Sequence, residues 1–235
     1  MIAMKSDERP RSLRSCGVDG SARAAVKAAT DAVHERLDAG LSDFDLADPR
    51  EYGEFLLVHA LALPGIERAL KTGNGHTGFA ATCPGWNDGL RAGALLRDLE
   101  GMGLALPPPL PIAGFPVPPF PIAPLDGAQA WGAAYVLEGS RMGARVLARR
   151  ARAGGASAVR ANMRFLAAPS GLPWPRFLAL MEVAVASTRD RERAIRGARA
   201  AFAAFSHALG AVRAGHAARS EPRATTDRST AKEDA

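Results

Sequence analysis

The spacing of hydrophobic positions predicts helices along most of the chain. Apolar residues recur at intervals of three and four, and no segment alternates in the way of a half-buried strand. A first helix is predicted over 21–38, with Ser21 as its capping residue and Gly40 as a stop signal. A second is predicted to begin at Pro49, to kink at Pro64 and to continue to about residue 70. The pattern therefore favours an all-α fold.

The remainder of the chain continues this pattern between irregular ends. Further helices are predicted over 86–99, 126–152, 157–167, 173–187 and 189–213. Residues 1–19 and 215–235 are polar and lack periodicity, which predicts two disordered ends around one domain at 20–214. Residues 107–124 hold nine of the 17 prolines. This segment is predicted to be an extended strap lying on the helices, with a ligand for a polyproline-binding domain as the alternative.

Composition agrees with a helical domain in a reducing compartment. The 235 residues suffice for one sizeable core, and 47% are hydrophobic but only 6% aromatic, which favours helices packed through small side chains. Cys16 and Cys83 lack the spacing of a zinc site or a CxxC redox motif, so a cytoplasmic location is expected. The longest apolar run, 55–63, is interrupted by His59. Neither a signal peptide nor a membrane span is predicted.

Positive charge is concentrated in the second half of the chain. The formal net charge is +6, and residues 141–213 contain fourteen arginines against three acidic residues. This half should attract anions. No recognition-helix motif, aromatic RNA-binding signature or zinc finger accompanies the charge, so nucleic acid is not the expected partner. A cofactor with propionate groups or an acidic redox partner would use the same charge.

One face of the first predicted helix carries polar residues that suit a metal-containing ligand. Arg23, Lys27, Thr30, His34 and Asp38 follow one another at three- and four-residue spacing. Because a helix rises 1.5 Å per residue, Lys27 lies about 10 Å along the axis from His34. A neutral imidazole binds haem iron, and an ammonium group at that distance can meet a propionate. The alternative is an ordinary surface histidine.

The long predicted helix carries three glycines on one stripe. Gly132, Gly139 and Gly143 are separated by seven and four residues. Each costs about 1 kcal/mol relative to alanine inside a helix, so the stripe needs a reason. One reason is the close approach of a flat ligand such as haem, and the other is close packing of a second helix. The sequence alone does not choose between them.

Two segments together resemble the haem oxygenase family. Residues 27–34 read Lys-Ala-Ala-Thr-Asp-Ala-Val-His and match the proximal-helix pattern Lys-x-Ala-Thr-x-x-x-His, which ends at the iron ligand. Residues 134–145 read Ala-Tyr-Val-Leu-Glu-Gly-Ser-Arg-Met-Gly-Ala-Arg and are similar to the distal helix of the branch associated with bacteriophytochromes. The proline-rich strap, Trp174 and Phe177 extend the resemblance to roughly residues 20–210.

The resemblance implies an all-α fold that holds haem between a proximal and a distal helix. In it, His34 is the iron ligand, Lys27 and Thr30 lie on the haem-binding side, and Gly139 and Gly143 lie over the distal face. Haem is then both cofactor and substrate, and O2 and external electrons convert it to biliverdin, CO and ferrous iron. The electrons would come from an acidic donor such as ferredoxin, and a phytochrome is the biliverdin acceptor that this branch suggests.

Two residues depart from the family pattern. Ser140 replaces the aspartate that holds a distal water in the animal enzymes, and its hydroxyl cannot supply a carboxylate. Ala144 replaces a glycine and adds a methyl group near the expected haem position. These departures leave open a haem carrier or sensor without turnover on the same fold. A helical interaction module without haem is the other alternative, in which the glycine stripe is a packing seam.

Overall fold

In the computed structural model, which describes residues 20–72, 78–105, 125 and 127–220, helices make up nearly all of the regular structure. They are α1 (Ala22–Ser42), α2 (Pro49–Thr72), α3 (Ala92–Gly101), α4 (Gly127–Gly154), α5 (Ser157–Ala161), α6 (Arg164–Ala167), α7 (Trp174–Ala184) and α8 (Thr188–Ser220). Two 3₁₀ turns, Phe79–Ala81 and Trp86–Gly89, lie between α2 and α3. The described ranges contain no strand, so the all-α prediction is confirmed. The segments 1–19 and 107–124 lie outside the described residues.

The starts of the first two helices follow from their capping residues. The Ser21 hydroxyl accepts a hydrogen bond from the Ala24 amide at 3.0 Å, which satisfies a free amide of the first turn of α1. Asp48 accepts from the amides of Arg50 and Glu51, each at 2.9 Å, and so caps α2 at the predicted position. Pro64 lies inside α2 rather than ending it.

The first helix does not stop at Gly40, which was the predicted signal, but continues to Ser42. The glycine is there for packing. A Cβ atom at Gly40 would lie 2.6 Å from Cδ2 of Leu209 on α8. The Gly40 carbonyl also accepts a hydrogen bond from Arg213 of α8 at 2.9 Å. Gly40 therefore marks a close helix crossing, and a local pattern cannot distinguish this from a C-terminal stop.

Several other boundaries differ from the sequence pattern. The helix predicted over 157–167 is divided into α5 and α6, and the one predicted over 173–187 ends at Ala184. The predicted helix over 86–99 is divided into the 3₁₀ turn at Trp86–Gly89 and α3, because Leu90 between them is extended. The last helix continues to Ser220, six residues beyond residue 214. His216 lies within this extension and contacts Glu54 of α2 at 2.9 Å. The end of α8 is thus attached to the start of α2.

The centre of the fold is α8, against which α1, α2 and α4 all pack. At the contact between α4 and α8, the two helix backbones pack directly against each other. A Cβ atom at Gly132 would lie 1.8 Å from the carbonyl oxygen of Ala194, and one at Gly197 would lie 2.0 Å from that of Gln129. No helix in the described part of the chain has the length and apolar character needed to cross a membrane.

Candidate active site

The start of α1 is held by a residue of α7. Glu182 accepts hydrogen bonds from the backbone amides of Ala22 at 2.7 Å and Arg23 at 3.0 Å. These amides have no partner within the helix, and a carboxylate also complements the positive end of the helix dipole. The first turn of α1, which leads to Lys27 and His34, is therefore fixed relative to α7.

His34 is exposed and lies beside an aromatic ring. Its side chain is 55% exposed, and its Nε2 atom lies 3.2 Å from a carboxylate oxygen of Asp38, one turn further along α1. The imidazole centroid is 5.4 Å from that of Phe202 on α8. The ring is thus oriented by a carboxylate and an aromatic neighbour, yet it remains accessible to a ligand.

Lys27 lies two turns before His34 on α1. Its ammonium group forms an exposed ion pair with Asp31 at 2.8 Å, and this carboxylate raises the pKa of Lys27. Tyr135 of α4 makes a smaller contribution to the raised pKa. Thr30 is buried, and its hydroxyl donates to the carbonyl of Val26 at 2.7 Å. The Thr30 hydroxyl thus donates its hydrogen bond within α1.

The glycines of α4 fall into two groups. Gly132 is in the contact with α8, where no side chain fits. At Gly143, a Cβ atom would meet no described residue within 4 Å, and at Gly139 it would meet only the Trp174 ring at 3.9 Å. Met142 and Val146 beside them are 51% and 41% exposed. Close packing therefore explains the first glycine, whereas the other two belong to an apolar surface that no described backbone approaches.

Aromatic residues of α7 and α4 border this surface. Trp174 stacks on Phe177 with centroids 5.6 Å apart, and Tyr135 packs against Trp174 at 5.5 Å. Tyr135 is one helical turn before Gly139, so it lies on the same side of α4. The boundary thus consists of broad apolar rings with one phenol group near Lys27.

Ser140 is held by an arginine that the sequence did not single out. Its hydroxyl donates to the carbonyl of Leu137 at 2.8 Å and accepts from Nη2 of Arg91 at 2.8 Å. Arg91 is only 3% exposed, and its guanidinium group lies 5.2 Å from the centroid of the Phe165 ring. Burial, and then Arg141, lowers the pKa of Arg91 to about 10. Arg91 follows a 3₁₀ turn and belongs to no motif, so no sequence signal pointed to it.

Charge around Arg91 is balanced by two glutamates. Glu67 of α2 accepts from the backbone amide of Arg91 at 2.8 Å. Glu138 pairs with Arg141 at 2.8 Å, and Arg141 also donates to the carbonyls of Pro169 and Gly89. Two buried cations and two buried anions therefore share this region, as buried charges require.

Ala144 lies on a different side of α4 from Gly143. Successive residues of a helix are about 100° apart, and Ala144 is buried in the floor of a groove with Arg141 and Ala148. This placement does not support direct contact of its methyl group with a flat ligand lying on Gly143.

His59 is half-buried, and its ring packs against the core. Nδ1 donates to the carbonyl of Phe55 at 2.8 Å, and the ring packs between Phe55, Phe165 and Phe205. Burial lowers the pKa of His59 to about 4. Within the described ranges, no group of three His, Cys, Asp or Glu side chains is placed to hold a metal ion.

The arrangement suits a planar ligand with one axial nitrogen donor. The exposed imidazole on α1 lies beside Phe202 of α8, the side-chain-free surface on α4 lies beside Trp174 of α7, and Lys27 and Tyr135 add polar groups to these two helices. Haem has this chemistry: an iron that takes a neutral imidazole, a flat apolar ring and two carboxylates. The residues present therefore fit the group that the sequence motifs implied.

Comparisons with known proteins agree with this assignment. No family model matches the chain. A protein named heme oxygenase from Xanthomonas campestris pv. campestris (strain 8004) is 33% identical over 171 residues, which cover 70% of this chain and 92% of the relative. The NO- and CO-bound heme oxygenase from Neisseria meningitidis has a similar fold, with a TM-score of 0.60, 21% identity and coverage of 82% of this chain and 92% of its own. Sequence motifs, fold and relative together show that the chain belongs to the haem oxygenase family.

Proposed function

We propose that this protein cleaves haem oxidatively to biliverdin with release of CO and ferrous iron, and that His34 is the axial ligand of its substrate. Two observations carry the proposal: the imidazole of His34 on α1 is accessible, and a surface of α4 lacks side chains at Gly139 and Gly143. Bound haem supplies the iron at which O2 is reduced by external electrons. The protein holds the haem in position, sets the polarity of its surroundings and keeps water away from it.

Asp38 prepares His34 for this role. The Asp38 carboxylate lies beside Nε2 and keeps the ring proton on that nitrogen. The other nitrogen, Nδ1, then retains the lone pair that an iron ligand needs. The Phe202 ring, 5.4 Å away, limits rotation of the imidazole. Because Asp38 and Phe202 orient the imidazole before haem binds, the His34 side chain loses less conformational entropy when it binds the iron.

Lys27 and Tyr135 are proposed to hold the propionate edge. Lys27 can exchange Asp31 for a propionate, because an exposed ion pair contributes little and is easily replaced. The Tyr135 phenol can donate a hydrogen bond to the same carboxylate. Thr30 retains a supporting role only, since its hydroxyl is bonded within α1.

Gly139, Gly143 and Ser140 are proposed to form the distal side. The two glycines let the helix backbone approach the flat ligand. Ser140 already donates to Leu137 and accepts from Arg91, and a hydroxyl oxygen can accept one further hydrogen bond. In this proposal the Ser140 hydroxyl oxygen anchors a water molecule, and Arg91 positions that hydroxyl by donating a hydrogen bond to it.

Reconstitution of the full chain with haemin tests the proposal. Wild type is expected to show the Soret band of a histidine-ligated haem and, with ascorbate or a ferredoxin system, to produce biliverdin. His34→Ala should lose the axial-ligand signature, whereas His207→Ala on the exposed side of α8 should retain it. A stable spectrum without biliverdin would contradict turnover, and an unchanged His34→Ala spectrum would remove His34 from its role.

An acidic electron donor such as a ferredoxin is the partner that the charge favours. Turnover with such a donor should fall steeply with added salt, because screening weakens the attraction between opposite surfaces. Turnover with a small neutral reductant serves as the control. A phytochrome as biliverdin acceptor and a cytoplasmic location rest on the sequence resemblance and the cysteine usage alone.

A further inference from the structure

A second concave site lies on the other side of α4 from the glycine surface. It is a groove of about 350 Å³ between α4 and residues 165–169, with Ala144 and Ala148 in its floor. Ala148 is five residues after Gly143, and so about 140° around the helix from it. Five arginines line this arginine groove: Arg91, Arg141, Arg145, Arg149 and Arg152. No acidic side chain lines it.

The three outer arginines have no counter-charge in the described part of the chain. Arg145, Arg149 and Arg152 are exposed and form none of the ion pairs found there, whereas Arg141 is paired with Glu138. They lie at intervals of four and three residues, which puts them on one stripe about 10 Å long. Like charges at this spacing repel one another, so the stripe is destabilising unless an anion occupies it.

The inner end of the groove contains unused hydrogen-bond donors. Arg91 uses Nη2 for Leu137 and Ser140, but its Nε and Nη1 atoms donate to no described residue. The residue is nevertheless almost completely buried. These two atoms are not among the fully buried, unpaired polar atoms of the described residues, so they remain within reach of an anion that enters the groove.

We propose that the arginine groove binds a small polyanion, with one phosphate or carboxylate group at Arg91 and a second between Arg145 and Arg149. Guanidinium groups bind both kinds of oxyanion through paired N–H donors. The concave shape favours a slender ligand over a protein surface, because only a narrow group reaches the inner arginine. Since Arg91 also holds Ser140, the ligand would share a residue with the distal side of the haem site.

Calorimetric titration of the haem-free full chain tests this site independently of haem turnover. Pyrophosphate and citrate are the two probes, at constant ionic strength adjusted with NaCl, and saturable binding with one site per chain is expected for at least one of them. Binding of only one probe identifies phosphate or carboxylate as the preferred chemistry. Absence of saturable binding by both would overturn the proposal.

Matched arginine variants locate the site. Arg149→Gln should weaken binding about tenfold, as loss of one charge-assisted contact does. Arg150→Gln is the control, because Arg150 is the adjacent exposed residue of α4 and does not line the groove. Equal weakening by both variants would mean a diffuse charge effect and would overturn the site. So would an Arg149→Gln defect confined to turnover with an acidic donor protein, since the surface would then serve a macromolecule.

The inner contact has its own readout. The Nε–H resonance of Arg91 in a nitrogen-edited NMR spectrum should shift on addition of the probe that binds, while the resonance of Arg97 on the exposed side of α3 should not. Assignment uses an Arg91→Lys variant, which lacks that resonance. An unshifted Arg91 signal at saturation would overturn the proposed role of the inner arginine.

Discussion

Gly132 and Gly143 lie on the same helix but have opposite surroundings. At Gly132 the α8 backbone is so close that a Cβ atom would lie 1.8 Å from the Ala194 oxygen, whereas at Gly143 no described residue lies within 4 Å of such an atom. The first glycine lets two helices meet, and the second leaves a surface bare. An absent side chain is thus informative only when its surroundings are known: at Gly132 it permits helix packing, whereas at Gly143 it leaves open the surface that we propose for haem.

The largest expected effect is that of Gly132→Ala. The added methyl group meets backbone rather than a movable side chain, so the helices must separate. We expect the free energy of unfolding to fall by about 3 kcal/mol, although alanine is the better helix former. Urea denaturation of the haem-free protein measures this. Stability equal to wild type would show that the contact between α4 and α8 is loose, and would remove the contrast.

Acid should destabilise the protein through His59. Burial lowers the pKa of His59 from 6.5 to about 4, so the unfolded chain binds a proton more readily between these values. The contribution of the neutral His59 ring to the free energy of unfolding is therefore complete above pH 6.5. It is lost as the pH falls toward 4, by up to about 3 kcal/mol. Urea denaturation across this range should show the loss in wild type and a flatter dependence in His59→Phe. Identical slopes would contradict the assignment.

Gly143→Ala should separate stability from binding. With open space around the new methyl group, helix propensity should raise the free energy of unfolding by up to about 1 kcal/mol. The same methyl group would stand against a flat ligand, and haem affinity should fall about tenfold, or about 1.4 kcal/mol. Denaturation and Soret titration with haemin measure the two effects. Unchanged haem affinity would place the ligand elsewhere.

Ala144→Gly should give the smallest change. A buried alanine in a helix is replaced by glycine, which should lower the free energy of unfolding by about 1 kcal/mol. Because Ala144 lies in the arginine groove, the Soret spectrum and the biliverdin isomer should be those of wild type. A different isomer would show that this methyl group reaches the haem after all.

Local patterns predicted what depends on neighbours in sequence. Caps at Ser21 and Asp48 and the long helix at 127–154 follow from propensities and spacing, and the two motifs that resemble the family lie within single helices. Arg91 could not be found in this way, because its partners come from α2 and α4 and its isolated position has no pattern. The prediction that the first helix ends at Gly40 was wrong for the same reason, because the role of this glycine depends on Leu209, far away in the chain.

The contacts of α7 have a consequence for how α1 and α4 are spaced. At one end, Trp174 borders the glycine surface of α4, and at the other Glu182 binds the first amides of α1. Eight residues of helix separate the two, which is about 12 Å along the axis. The length of α7 therefore links the position of the start of α1 to that of the glycine surface, although α7 itself carries none of the residues proposed to bind the iron.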